Sequence, residues 1–343
     1  MPKPKLAKSI KSDTNHLISW QQQLAQSIIT PDQLLEQLQI DNRAYNHNTG
    51  AHQQFSLKVP RAYIQKMQPG KADDPLLLQV MAQSQEMLPV DGYIKDPVAE
   101  LDAGKTPGLL HKYPGRVLLI TTSVCAVHCR YCFRRHFPYS EKQAARDNWS
   151  EAIRYILNDN SIKEVILSGG DPLVLSDNKL ASLIAQLEAI PHLTRLRLHS
   201  RLPVVLPDRI TPQLIKILKN NRFDVSLVIH ANHGNEITSA EVNALKALQY
   251  SGIHLLNQAV LLKNINNTLK NQLLLSEKLY SAGVLPYYLH LLDPVQGAAH
   301  FDVSLDAANR LINGMREQLP GFLVPRLVRE ISGKLSKTPA SEL

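Results

Sequence analysis

The sequence predicts an α/β chain: a partial (β/α)6 barrel over 111–320, preceded by a mainly helical N-terminal extension over 1–110 and followed by a short C-terminal segment over 321–343. Two patterns predict this. Six short apolar runs (Arg116 to Thr122, Glu164 to Leu167, Thr194 to His199, Asp224 to Ile229, Ile253 to Leu262 and Val284 to Leu291) recur about every thirty residues. Amphipathic stretches such as Lys179 to Ile190 and Ser239 to Tyr250 lie between them. Buried strands alternating with helices make parallel βα units. In that architecture chemistry collects where strands end, and the unusual residues of this chain do follow the ends of the runs. With 343 residues, 44% hydrophobic and 20% charged, the chain has a globular composition that excludes wholesale disorder, collagen and coiled coil.

The extension opens with Lys3, Lys5, Lys8 and Lys11, without an apolar run behind them and without arginine. It therefore reads as neither a signal nor a transit peptide. No stretch reaches the ~18 apolar residues of a membrane span, so a cytoplasmic protein without a membrane partner is expected. Thr30-Pro31-Asp32-Gln33 predicts a helix start, with Thr30 as N-cap, Pro31 in the first position and Gln33 completing a capping box. Leu34, Leu35 and Leu38 supply its apolar face, and Pro69-Gly70, Asp74-Pro75 and Asp96-Pro97 mark turns.

The 38 basic against 30 acidic residues give a net charge of +8, which raises the question of nucleic acid. Both signs are mixed along the chain. The densest basic stretch, Arg130, Arg134 and Arg135, sits among cysteines, so nucleic acid is not an expected partner.

Three cysteines exclude a disulfide scaffold and point to a reducing compartment. All fall in Cys125-Ala-Val-His-Cys129-Arg-Tyr-Cys132. Thiolates so spaced in a loop can serve as soft ligands of an iron–sulfur cluster, or of zinc with His128 or His136 as a fourth ligand. One unit later a predicted strand runs into Ser168-Gly169-Gly170-Asp171-Pro172, where glycines permit close backbone approach or positive φ.

The C-x3-C-x2-C spacing, with Tyr131 before the third cysteine, resembles the radical S-adenosylmethionine (SAM) superfamily. The resemblance implies a 4Fe–4S cluster held by Cys125, Cys129 and Cys132. The open fourth iron would chelate SAM, whose amino group would lie against Ser168, Gly169, Gly170 and Asp171, with Tyr131 beside the cluster. Further segments resemble the lysine 2,3-aminomutases: His111-Lys112-Tyr113-Pro114-Gly115-Arg116, Cys132 to Phe137, Ser200 to Pro207, Leu256 to Leu261 and Pro286 to Asp293. The likeness runs from about residue 55 to the end. It is greatest to the branch whose β-lysine a partner ligase attaches to elongation factor P.

That family uses pyridoxal phosphate, whose resting Schiff base the resemblance places on Lys337, followed by Thr338-Pro339, rather than on Lys334. It implies Arg116, Asn257 and Gln258 around the cofactor, with Lys112 standing where arginine is expected. Arg134 would bind the carboxylate of free lysine. Asp293 and Glu330, the latter replacing a family aspartate, would bind its distal ammonium. The implied activity is isomerisation of L-α-lysine to β-lysine of the R hand, fed by a reductant such as flavodoxin or ferredoxin, in a chain that could form oligomers. Two other readings stay open: an aminomutase of another amino acid such as glutamate or arginine, and an iron–sulfur redox sensor that binds nucleic acid.

Overall fold

A computed structural model describes residues 18–41, 48–138 and 149–343. The lysine-bearing start, Lys3 to Lys11, lies outside the described residues. One sheet carries ten strands in sequence order: β1 (Gly104–Thr106), β2 (Leu109–Tyr113), β3 (Arg116–Thr122), β4 (Glu164–Gly169), β5 (Arg195–Ser200), β6 (Asp224–Ile229), β7 (His254–Val260), β8 (Leu285–His290), β9 (Arg326–Arg329) and β10 (Thr338–Pro339). Strands β3 to β9 pair in parallel, and β1–β2, β2–β3 and β9–β10 are antiparallel.

All six expected strands form, as consecutive neighbours, as β3 to β8. The stretches read as amphipathic helices form Asp177–Glu188 and Ser239–Tyr250. A seventh parallel strand, β9, and the antiparallel flanks β1, β2 and β10 carry no comparable signal. They span two to five residues each, too few to display a period.

The parallel strands are less uniformly apolar than expected, and the reason positions the site. In β5, Leu196 and Leu198 are buried under helices, whereas Arg197 and His199 alternate onto the opposite face, which borders a cavity. Gln258 of β7 likewise borders the cavity, and its neighbour Asn257 does not.

The expected helix near residue 30 is present as Pro31–Gln37 with Thr30 as N-cap, and Leu34, Leu35 and Leu38 are buried. The expected capping bond is not made: the Thr30 side chain accepts no hydrogen bond. Burial of the leucine face, together with Pro31, holds this helix without it. One apolar core runs from Trp20 to Ala340, so the N-terminal segment packs into the same core as the sheet. A smaller cluster around Leu262, Leu292 and Phe301 packs against Tyr131 and Phe133 of the cysteine loop. No helix among the described residues is long and apolar enough to cross a membrane.

Candidate active site

A cavity of about 410 Å³ opens at the C-terminal ends of the parallel strands, within the size range of small-molecule sites. Each strand end contributes. The loop after β3 brings Cys125, Cys129, Tyr131, Cys132 and Arg134, and the end of β4 brings Ser168, Gly169, Gly170 and Asp171. From β5 come His199 and, just past its end, Arg201; from β6 to β8 come His230, Gln258, His290 and Asp293. Glu330 follows β9, Lys337 precedes β10, and Lys112 and Arg116 stand on the β2–β3 hairpin.

The cysteine loop is rooted by close backbone packing. Gly170 N–H donates to Thr122 C=O at 2.7 Å and Asp171 N–H to Val124 C=O at 2.9 Å. A Cβ on Gly170 would collide with the Val124 carbonyl, and one on Gly169, at φ +111°, would meet Ile120 and Thr122 at 2.8 Å. Close approach therefore requires both glycines. Asp171 uses its carboxylate on the neighbouring strand end, accepting from Leu173 N–H, Ser200 Oγ–H, Arg201 N–H and Leu202 N–H.

Around the loop lies a set of buried ion pairs supplied by the N-terminal segment. Glu86 accepts from Arg130 Nη2 at 2.5 Å and Arg135 Nη2 at 2.7 Å. Glu100 accepts from Arg134 Nε and Nη2, both at 2.6 Å, while Arg134 Nη1 donates to Ser168 Oγ at 3.1 Å and Gly169 C=O at 3.3 Å. The densest basic stretch of the sequence is thus internal and paired. It forms no surface stripe for a polyanion.

The three cysteines are free. Burial pushes the Cys132 thiol up to about 11, aided by the Cys129 sulfur, and raises Cys125 likewise, so a metal centre must displace protons to bind here. Neither His128 nor His136 lines the cavity. One ring nitrogen of each meets a backbone carbonyl, His128 Nδ1 that of Ser56 at 2.8 Å and His136 Nε2 that of Gln296 at 3.1 Å. Among the described residues no three His, Cys, Asp or Glu side chains gather around one ion. A cubane cluster differs in chemistry: each thiolate meets its own iron, and three sulfurs along one wall suit that donor pattern.

At the other end of the strand order, the β9–β10 hairpin pairs Thr338 with Arg329, which sets Lys337 across from Glu330. Lys337 Nζ donates to Glu330 Oε2 at 2.8 Å, and Lys112 Nζ donates to Oε1 at 2.9 Å and to Val98 C=O at 2.6 Å. Although burial raises the Glu330 carboxyl, the two ammonium groups outweigh it and hold the acid at about 2. Asp293 is pushed the other way, to about 7, by burial and then by Glu330, and its Oδ1 is shielded without a partner. Lys334 is exposed and does not border the cavity.

Among the expected residues, one is not brought to the cavity. Asn257 faces the other side of β7, where its amide accepts from Ala231 N–H at 2.9 Å and donates to Ala231 C=O at 3.1 Å. Arg116 stacks over Tyr113 at 4.6 Å, and no described residue hydrogen-bonds its guanidinium.

Three residues that sequence reasoning did not single out also line the wall: His199, His230 and His290. Burial lowers all three, His230 to about 3, so they stand as neutral imidazoles. The Nε2 atoms of His199 and His290 are buried without partners, and Gln258 Nε2 meets His230 Nε2 at 2.8 Å. The signal that could have found them is a polar residue at the end of an apolar strand. An aromatic phosphate-bearing cofactor fits this wall: the Arg116 guanidinium stacked on Tyr113, a lysine, and orphaned imidazole nitrogens.

Comparison with known proteins gives a concordant result. The Radical SAM superfamily pattern matches residues 119–267. The chain is 46% identical over 321 residues to the L-lysine 2,3-aminomutase of Escherichia coli strain K12, covering 93% of this chain and 94% of that protein. It is 44% identical over 324 residues to the L-lysine 2,3-aminomutase of Haemophilus influenzae, with coverages of 94% and 96%. To the L-lysine 2,3-aminomutase of Clostridium subterminale it is 34% identical over 321 residues, with coverages of 93% and 77%.

Proposed function

Because the chain belongs to the L-lysine 2,3-aminomutase family of the radical SAM superfamily, we propose that it isomerises L-α-lysine to (R)-β-lysine, and that this product serves the modification of elongation factor P. The observation that carries the catalytic reading is the cavity itself. Three cysteines form one wall, and Lys337, Glu330 and Asp293 form the other. The elongation-factor link rests on the likeness of the segments between His111 and Asp293 to that branch.

In this reading Cys125, Cys129 and Cys132 hold the 4Fe–4S cluster, and the Ser168–Asp171 backbone flanks SAM, with Tyr131 at the cluster's side. Lys337 carries pyridoxal phosphate, Arg116 meets its phosphate, and Gln258 meets its ring. Asn257 acts indirectly, fixing the Ala231 strand end beside His230. When bound, cluster and SAM supply a hydrogen-abstracting radical, and pyridoxal phosphate supplies a conjugated carrier for the migrating nitrogen.

The chain's own task is to orient lysine and exclude water. Arg134, braced by Glu100, offers a fixed guanidinium to the α-carboxylate. At the far end the Lys337 ammonium already stands 2.8 Å from Glu330. A lysine substrate carries the same group, so this end of the cavity is already matched to a distal ammonium. Asp293 supplies the second charge. Glutamate has no distal ammonium to pair with Glu330 and Asp293, so the cavity favours lysine over that alternative.

The test is anaerobic reconstitution with iron, sulfide and pyridoxal phosphate. Lysine should be isomerised only when SAM and a low-potential reductant such as flavodoxin or ferredoxin are present, with the R product on chiral chromatography. Full turnover by Cys125→Ala would sink the cluster assignment. A Lys337→Ala protein that still shows the visible band of lysine-bound cofactor would move that role elsewhere. An S product, or one that the elongation factor P ligase rejects, would remove the finer assignment.

A further inference from the structure

We propose that Arg201 sets the reduction potential of the cluster by donating a hydrogen bond to the sulfur of Cys129. The inference rests on the reading of the three cysteines as cluster ligands.

Arg201 is the first residue past β5, and its side chain is 5% exposed. Its Nη1 donates to Cys129 Sγ at 2.7 Å and also to the Tyr131 hydroxyl. Nη2 donates to Gln79 Oε1 at 2.8 Å, Tyr63 Oη at 3.1 Å and Glu236 Oε2 at 3.1 Å. The guanidinium lies over the Tyr63 and Tyr131 rings, 5.6 and 5.5 Å from their centroids. The Arg201 backbone N–H is fixed by Asp171 Oδ2 at 2.8 Å. So many fixed partners leave the fork no alternative position. A buried guanidinium normally demands a full counter-charge. Glu236 supplies one through a single oxygen on Nη2, while its other oxygen accepts from Asn232 N–H at 2.8 Å, His233 N–H at 2.9 Å and Gln79 Nε2 at 3.3 Å, so Nη1 is left to Cys129 and Tyr131. The remaining neighbour is the sulfur of Cys129, which would be anionic as a cluster ligand.

Reduction adds one electron to the cluster, taking the 2+ core to 1+ at the expense of a low-potential one-electron donor. The more negative state gains more from a cation and an N–H donor at a ligand sulfur, and burial strengthens both contributions. Hydrogen bonds to sulfur are among the protein's levers on cluster potential. Cys132 is met by a backbone N–H, of Arg134, whereas Cys129 has a guanidinium. Arg201 is thus a positioning and potential-setting residue, acting on the cluster through Cys129.

The experiment is a dithionite titration of reconstituted wild-type and Arg201→Gln proteins with redox mediators, followed by electron paramagnetic resonance. Arg201→Gln should bind the cluster yet lose about tenfold in its reduction equilibrium, a shift of about 59 mV to more negative potential for one electron. An unchanged midpoint at full cluster content would overturn the proposal. A wild-type protein that takes up no cluster would overturn the underlying reading instead, and with it this inference. Should Arg201→Gln not fold, wild-type protein carrying 15N only in its arginine guanidino groups decides the matter. Pulsed resonance on the reduced cluster should detect a weakly coupled 15N, and its absence would count against the hydrogen bond.

Discussion

The two walls of the cavity are built on different physical terms. The cysteine wall, at the ends of β3 to β5, is fastened by buried ion pairs at Glu86 and Glu100, by the Asp171 carboxylate, and by two glycines that admit backbone against backbone. The lysine wall, at the ends of β8 to β10, rests on strands of six, four and two residues. Its one carboxylate bridge, Glu330 between Lys112 and Lys337, is partly exposed. A metal cluster needs ligands that stay in place while charge changes around them. A cofactor lysine must let go and return with each substrate. The proposed roles of the two walls match this difference.

The largest consequence falls on the cysteine wall. Glu86→Ala leaves Arg130 and Arg135 as buried cations without their carboxylate, and breaking such pairs costs about 3–5 kcal/mol. Chemical denaturation of the apoprotein should show that loss; a change below about 1 kcal/mol would erase the contrast between the walls.

An intermediate effect concerns charge at the lysine wall. Asp293, at about 7 without substrate, is protonated and neutral below that value and can pair with an ammonium only above it. Substrate binding therefore expels a proton at low pH. The KM for lysine should fall roughly tenfold per pH unit toward pH 7 and level off above it. Asp293→Asn should flatten the profile, and an unchanged slope in that variant would assign the titration to another group.

The smallest effect is on stability at Lys337. Its bridge to Glu330 is partly solvated and Lys112 remains, so Lys337→Ala should change unfolding free energy by under about 1 kcal/mol. Thermal melts of the apoprotein check this. A loss comparable to that of Glu86→Ala would mean that both walls are braced alike.

Much of this was legible in the sequence because local signals carried it. Six of the seven parallel strands announce themselves as apolar runs, and the cysteines as a cluster within eight residues. Lys337 stood out only through resemblance, and the hairpin explains why it is no tail residue: β10 returns it beside Glu330. What stayed hidden depends on distance along the chain. Glu86 lies 44 and 49 residues from the arginines it neutralises, Glu100 lies 34 from Arg134, and Arg201 lies 72 from Cys129. No periodicity marks such pairs. Asn257 lies at a register shift beside Gln258 and turns its amide to Ala231 instead of the cavity, a placement that no local pattern announces.

Asp171 has a consequence beyond its own contacts. It ties the end of β4 to the end of β5, Arg201 ties β5 to the cysteine loop, and that loop returns to β4 through Gly170 and Asp171. Three struts joined end to end form a triangle, the one polygon whose shape is fixed by its side lengths alone. The cysteine wall is braced as a truss, so its shape is set without help from the residues beyond β7 that complete the cavity.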